Sequence, residues 1–359
     1  MKKLFAAVLL FGLLTMPAFW GPAVSADSLA SLWFVPPTVS GNVTYGNPHP
    51  SSIRPVADVD LMALGDPTVA GRTGPDRTPT WGRYALTGFG ESPYTVTPSK
   101  SGNLNNFINS FDAAKVAQHV AGHNFLDSTQ VIVADVSGNG VVQSFDAALI
   151  AAYVVNSPVG HGSTGTWRFN PGDRQYPFVV SDIPDQDYTA LLMGEVSGNW
   201  NNNGNGGGGT RPENGAGIAT ESFISAPSVS SASRLITVPI TINGAQDKGI
   251  ISYEFDLRYD PSVILPATNA VSLARTVSRG FSVAFNSTEP GLLRVAVYGA
   301  IPVNADGALI NLRFTSVGAA GSVSPLTWER VLINEGDPAV ITVDGQVGLL
   351  TVSSNGSEN

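Results

Sequence analysis

The run Asp135-Val136-Ser137-Gly138-Asn139-Gly140-Val141-Val142-Gln143-Ser144-Phe145-Asp146 decides the fold of the middle of this chain. A hard divalent cation wants oxygen ligands at alternating positions of a tight twelve-residue loop. Asp135, Ser137 and Asn139 stand at positions 1, 3 and 5, and Gly140 stands at position 6, where the chain must turn sharply. Val141 offers its carbonyl at position 7, Gln143 a water-mediated contact at position 9, and Asp146 closes the loop at position 12. This donor set predicts calcium. Two charged ligands place it with the weak extracellular sites, at about 10⁻⁴–10⁻³ M. The plainer alternative is a metal-free turn, with Asp146 favouring the start of the helix that follows.

Working outward, Ser144-Phe145-Asp146-Ala147-Ala148 repeats Ser110-Phe111-Asp112-Ala113-Ala114, 34 residues earlier. Each copy continues into an apolar stripe of helical period: Ala113, Val116, Ala117 and Val120, then Ala147, Ile150, Ala151 and Val154. Helices this short are marginal alone, so the two stripes are expected to pack on each other. The first loop is degraded. Its aligned ligands are Ser101, Asn103, Asn105, the Phe107 carbonyl, Asn109 and Asp112, with Asn106 where glycine belongs. A third fragment, Glu195-Val196-Ser197-Gly198-Asn199, echoes Asp135 to Asn139. It carries Trp200 at the glycine position and no helix after it, so the sequence argues against metal there.

Around this centre the composition is that of strands and turns. The 359 residues include 39 Gly and 25 Pro, with 43% hydrophobic and only 13% charged residues. A net charge of −9 argues against nucleic acid, because no basic stripe replaces counterions on phosphates. Cysteine is absent, which excludes disulfides, thiol catalysis and thiolate metal sites. Lys2, Lys3, the apolar Leu4 to Leu14 and the small residues of Val24-Ser25-Ala26 read as a signal peptide over 1–26. No later segment is apolar enough to span a bilayer, so the expected product is exported, without membrane insertion, and bacterial in style.

Strands are expected over 35–98, for example Tyr84 to Phe89 and Tyr94 to Pro98, and again over 219–352. In the second region they fall at Leu235–Ile242, Ile250–Tyr259, Leu292–Tyr298, Ala308–Ser316 and Gln346–Val352. The Asn/Gly-rich stretch 201–218 reads as a linker and 156–200 as an extension of the helical module.

A loop-plus-helix repeat with Asp at position 12 and no helix before the loop resembles the dockerin module, here 99–155. The resemblance implies that positions 10 and 11, Ser110-Phe111 and Ser144-Phe145, help choose a cohesin partner. Residues 35–98, through Gly82 to Phe89 and Tyr94 to Pro98, resemble a carboxypeptidase-regulatory-like, prealbumin-type β-sandwich. Residues 219–352 are similar to a cohesin: Val238 to Ile242, Ile251 to Pro261 with Tyr259-Asp260-Pro261 its sharpest part, Gly307 to Phe314, and a closing strand at Asp344-Gly345-Gln346-Val347. That likeness implies a jelly-roll sandwich binding dockerins through one sheet face. The expected fold is mainly β, two sandwiches flanking a small α-helical EF-hand-type module.

Catalytic signals are weak. His119 and His123 have zinc-protease spacing but lack the intervening Glu, and Gly122 ends the helix between them. Gly204, Gly206 and Gly209 sit in the linker with no helix to follow. Asp58 and Asp60 have no scaffold for a substrate cleft. Two functions compete. One is an assembly protein that joins cohesin- or dockerin-bearing proteins or copies of itself. The other is a polysaccharide-binding surface protein linked to polysaccharide breakdown, with a structural calcium site. Trp328 being the one tryptophan after residue 201 favours the first. On the second helix Leu149, Ala152 and Tyr153 flank Phe145, whereas the first shows Lys115, Gln118 and His119. The second helix is therefore expected to carry an interface, formed with 156–200 or with a cohesin-like sheet, and the first is not.

Overall fold

The computed structural model describes residues 36–48, 52–102, 104, 107–202, 221–336, 339–342 and 348–353. The expected signal peptide, Asn103, Asn105, most of the linker and the Asp344–Val347 segment lie outside them. The described residues from Pro37 onward form one compact unit built around two hydrophobic cores.

The first core lies between two four-stranded sheets. Its strands are β1 (Thr38–Tyr45), β2 (Asp60–Leu64), β3 (Val69–Arg72), β4 (Arg83–Thr87) and β5 (Tyr94–Ser99), then, after three helices, β6 (Trp167–Asn170), β7 (Arg174–Tyr176) and β8 (Tyr188–Leu192). The strand orders are β4-β1-β8-β6 and β3-β2-β5-β7. Alternation drives the layering: in β2 and β4 every second residue is buried, Leu61 and Ala63 in one, Tyr84 and Leu86 in the other. Central β1 pairs antiparallel with β4 and parallel with β8, with Val43 opposite Tyr188.

This layout changes the role expected for 156–200. That segment is not an appendage of the helices; β6, β7 and β8 complete both sheets begun by 38–99. The helices are an insertion between β5 and β6: α1 (Ser110–Val120), α2 (Ser128–Ala134) and α3 (Ser144–Val154). As the stripes predict, α1 packs on α3, burying Ala113, Val116, Ala147, Ile150 and Ala151. The α2 turn was not expected. It is fixed by a capping box in which Asp127 accepts from Thr129 and Gln130 N–H while Gln130 accepts from Asp127 N–H.

The second core lies between a six-stranded and a five-stranded sheet. The strands are β9 (Glu221–Ser225), β10 (Val229–Ser231), β11 (Leu235–Asn243), β12 (Ile250–Arg258), β13 (Ile264–Ser272), β14 (Ser282–Asn286), β15 (Leu292–Val303), β16 (Gly307–Ser316), β17 (Val323–Ile333), β18 (Ala339–Thr342) and β19 (Gly348–Val352). They order as β10-β19-β17-β12-β15-β14 and β13-β16-β11-β9-β18. The strands expected at Leu235, Ile250, Leu292 and Ala308 are present as β11, β12, β15 and β16. On β12 the residues Tyr253, Phe255 and Leu257 point into the second core. Period two therefore sends Ser252, Glu254 and Asp256 to the opposite face.

Candidate functional site: two cation loops and a docked helix

The loop at 135–146 is closed by its two aspartates. Asp135 Oδ1 accepts from Ser137 Oγ (3.3 Å) and from the N–H groups of Gly138 (2.9 Å) and Asn139 (3.1 Å). Asp135 Oδ2 accepts from Gly140 N–H at 2.8 Å. Gly138 and Gly140 take φ of +73° and +85°, a conformation few side chains tolerate. Asp146, fully buried, reaches back so that Oδ1 accepts from Ser137 N–H (2.9 Å) and Oδ2 from Gln143 N–H (2.8 Å). Two carboxylates thus converge on Ser137, with Asn139 and the Val141 carbonyl on the same turn. These oxygen donors fit calcium.

The first repeat closes differently. Asp112 Oδ2 accepts from Asn109 N–H at 2.9 Å, as Asp146 does from Gln143. Its Oδ1, however, accepts from Val196 and Ser197 N–H, both at 2.8 Å. Glu195 Oε1 in turn accepts from Ser197 Oγ (2.8 Å) and from Gly198 (2.6 Å) and Asn199 (2.9 Å) N–H. These three bonds repeat those that Asp135 Oδ1 accepts from Ser137, Gly138 and Asn139; on the other oxygen Glu195 takes the Tyr45 hydroxyl where Asp135 takes Gly140 N–H. The first loop is therefore split: Glu195, Ser197 and Asn199 supply the opening half, and Phe107, Asn109 and Asp112 the closing half.

Ser101, expected at position 1, is instead exposed, and its neighbour Gly102 accepts from the Trp167 indole N–H at 3.0 Å. The split also explains Trp200. Position 6 needs glycine only when the chain turns there, and this chain leaves. Trp200 is free to enter the core, fully buried against Tyr45 (centroids 4.8 Å) and Trp167 (5.0 Å). The echo of Asp135–Asn139 at 195–199 was the sequence signal for this loop. The missing helix and the tryptophan concealed it.

The split loop is strongly acidic and dry. Burial pushes the carboxyls of Asp112 and Glu195 up, and their mutual proximity adds to the Asp112 shift. Glu335, from the turn after β17, comes to the same place and accepts from Asn199 Nδ2 at 2.8 Å. Burial first, opposed by a Ser197 hydrogen bond and reinforced by the Glu195 charge, pushes it up to about 7. Tyr45 donates its hydroxyl to Glu195 Oε2.

The helix faces meet one half of the expectation drawn from their polarity and overturn the other: the apolar α3 face is covered by part of 156–200, but the more polar α1 face is covered as well. Leu149 and Tyr153 of α3 are covered by 161–165: Tyr153 meets His161 edge-on at 5.1 Å, and Gly165 lies so close to its ring that a Cβ there would stand 2.7 Å away. Phe145 stays 57% exposed and Ser144 is exposed. It is α1, with its more polar face, that lies mainly against β15 and β12. Ser110 N–H donates to Glu254 Oε2 at 2.6 Å, and Gln118 Nε2 donates to the Ala300 carbonyl at 3.4 Å. Lys115 folds over the Phe111 ring at 5.1 Å. Among the other candidates, His119 Nδ1 accepts from Leu126 N–H at 3.2 Å, Asp60 is ion-paired with Arg72 at 2.6 Å, and Trp328 packs edge-on against Phe255 at 5.2 Å.

Residues 103–155 match the family model of the dockerin type I domain, and residues 221–348 match that of the cohesin domain. Among solved structures, the chain is similar to the sixth cohesin of Acetivibrio cellulolyticus scaffoldin B, solved with a dockerin (18% identity, 37% of this chain and 100% of that one, TM-score 0.30). It is also similar to a cohesin of Clostridium acetobutylicum (22%, 38% and 92%, TM-score 0.29). A third similarity is to a non-cellulosomal cohesin of the archaeon Archaeoglobus fulgidus (21%, 37% and 92%, TM-score 0.31). No curated protein matches the chain. The chain carries a dockerin type I region followed by a cohesin region, two modules of non-catalytic assembly.

Proposed function

We propose that this protein is an exported, non-catalytic assembly protein that binds calcium in its dockerin region and joins protein partners through its dockerin and cohesin modules. The observation that carries the reading is the seating of α1 across β12 and β15, a helix bearing the Ser110-Phe111 pair laid on a cohesin sheet face. Calcium would be held by Asp135, Ser137, Asn139, the Val141 carbonyl, Gln143 and Asp146. A second ion would be held by the split loop of Glu195, Ser197, Asn199, the Phe107 carbonyl, Asn109 and Asp112. The ion would supply positive charge to carboxylates that otherwise crowd one another.

Calcium that binds only the folded chain is expected to stabilise it by about 2.7 kcal/mol at a hundredfold excess over Kd. Calorimetric melting with calcium and with chelator measures this. Asp135→Ala should remove the contribution of the contiguous loop, and Glu195→Gln should weaken that of the split one. Identical melting with calcium and with chelator would overturn the calcium reading. The purified chain is expected to hydrolyse neither glycans nor esters; an activity abolished by one point substitution would overturn the non-catalytic assignment.

A further inference from the structure

The two repeats offer an internal control. Ser110 and Ala114 are fully buried, whereas their counterparts Ser144 and Ala148 are exposed. The residue types are identical, so the difference lies in what covers them. Ser110, Ala114 and Gln118 follow an i, i+4, i+8 stripe along one helix face. The two ends of that stripe bond Glu254 and Ala300 of the cohesin region. The cohesin side is buried to match: Ser252 and Glu254 point away from their own core, yet are 0% and 1% exposed. Glu254 is ion-paired with Arg330 and takes up the Ser110 N–H, one of the donors a helix start leaves free, where the helix dipole favours a negative charge. Two flanking contacts fix the orientation. Asn286 Nδ2 donates to the carbonyls of Val155 (3.0 Å) and Asn156 (2.6 Å), and Asn199 Nδ2 donates to Glu335.

We infer that the chain is closed on itself: its own dockerin helix α1 occupies its own cohesin sheet, and a second copy is engaged only by exchanging this contact between molecules. The inference rests on the assembly function proposed above. Tethering supplies the internal helix at an effective concentration of roughly millimolar. A second copy at micromolar concentration therefore competes at about a thousandfold disadvantage for the same face.

The test uses two full-length variants that each break one side of the contact. Ala114→Arg spoils the helix stripe and leaves a free sheet; Glu254→Arg spoils the sheet and leaves a free helix. Should either fail to show a cooperative melt, Gln118→Arg and Ala284→Arg replace them at half-buried positions. Light scattering on a sizing column is expected to show each variant alone as a monomer and the mixture as a one-to-one dimer. Two differently tagged wild-type samples, mixed at the same micromolar concentration, are expected not to co-purify. If the mixed variants stay monomeric, the docking and the assembly function both fall. If they pair, but the wild-type samples exchange as readily, the assembly function stands and the closed state falls.

Discussion

A chain ending at Val155, where the dockerin match stops, is expected to show no cooperative unfolding, with or without calcium. The cut removes β6 and β8 from one sheet and β7 from the other, leaving β1 without its parallel neighbour. It also removes Val196 and Ser197, two of the N–H donors to buried Asp112, and the whole opening half of the split loop. A buried carboxylate stripped of donors costs several kcal/mol, comparable with the stability of a whole domain. Thermal melts followed by circular dichroism, comparing a chain ending at 155 with one ending at 202, measure this. A cooperative transition of similar midpoint in the shorter chain would show that the helices fold without the later strands.

Replacing Trp200 by Ala is expected to destabilise the 37–202 region by about 3–5 kcal/mol. The indole is fully buried, touches Tyr45 and Trp167, and lies 6.4 Å from Phe107 between centroids. It follows directly on Asn199, so its loss is also expected to loosen the opening half of the split loop and weaken calcium there. The contiguous loop at 135–146 should be spared. Urea unfolding monitors the first effect, and calcium titration in the Asp135→Ala background isolates the second. A shift of under 1 kcal/mol would mean that the aromatic cluster repacks around the gap.

The 34-residue repeat made α1, α3 and the 135–146 loop legible, because six spaced oxygen donors and two apolar stripes agree at once. The long strands of the cohesin region were equally plain, since nine-residue runs such as Leu235–Asn243 alternate without interruption. What stayed hidden was short or discontinuous. The seven-residue α2 is too brief for a stripe to declare itself. β6 and β7 have four and three residues, set among Gly, Pro and Asp. The split loop defeats any reading that looks for its ligands in one stretch, since Asp112 and Ser197 are 85 positions apart. The docked helix was misjudged for a related reason. Apolarity marks a face that needs covering, but α1 meets a carboxylate and a carbonyl, so its polar residues suit the contact.

The parallel pairing of β1 with β8 bears on how the molecule would carry tension. These are the first and last strands of the 37–202 region, and they lie side by side in one sheet. Pulled at its two ends, the region would feel force along the strand axes in opposite directions. The β1–β8 ladder would then be loaded in shear, its evenly spaced bonds strained together rather than peeled one after another. For a protein that ties others together, the strands that close this layer also lie on the line of pull.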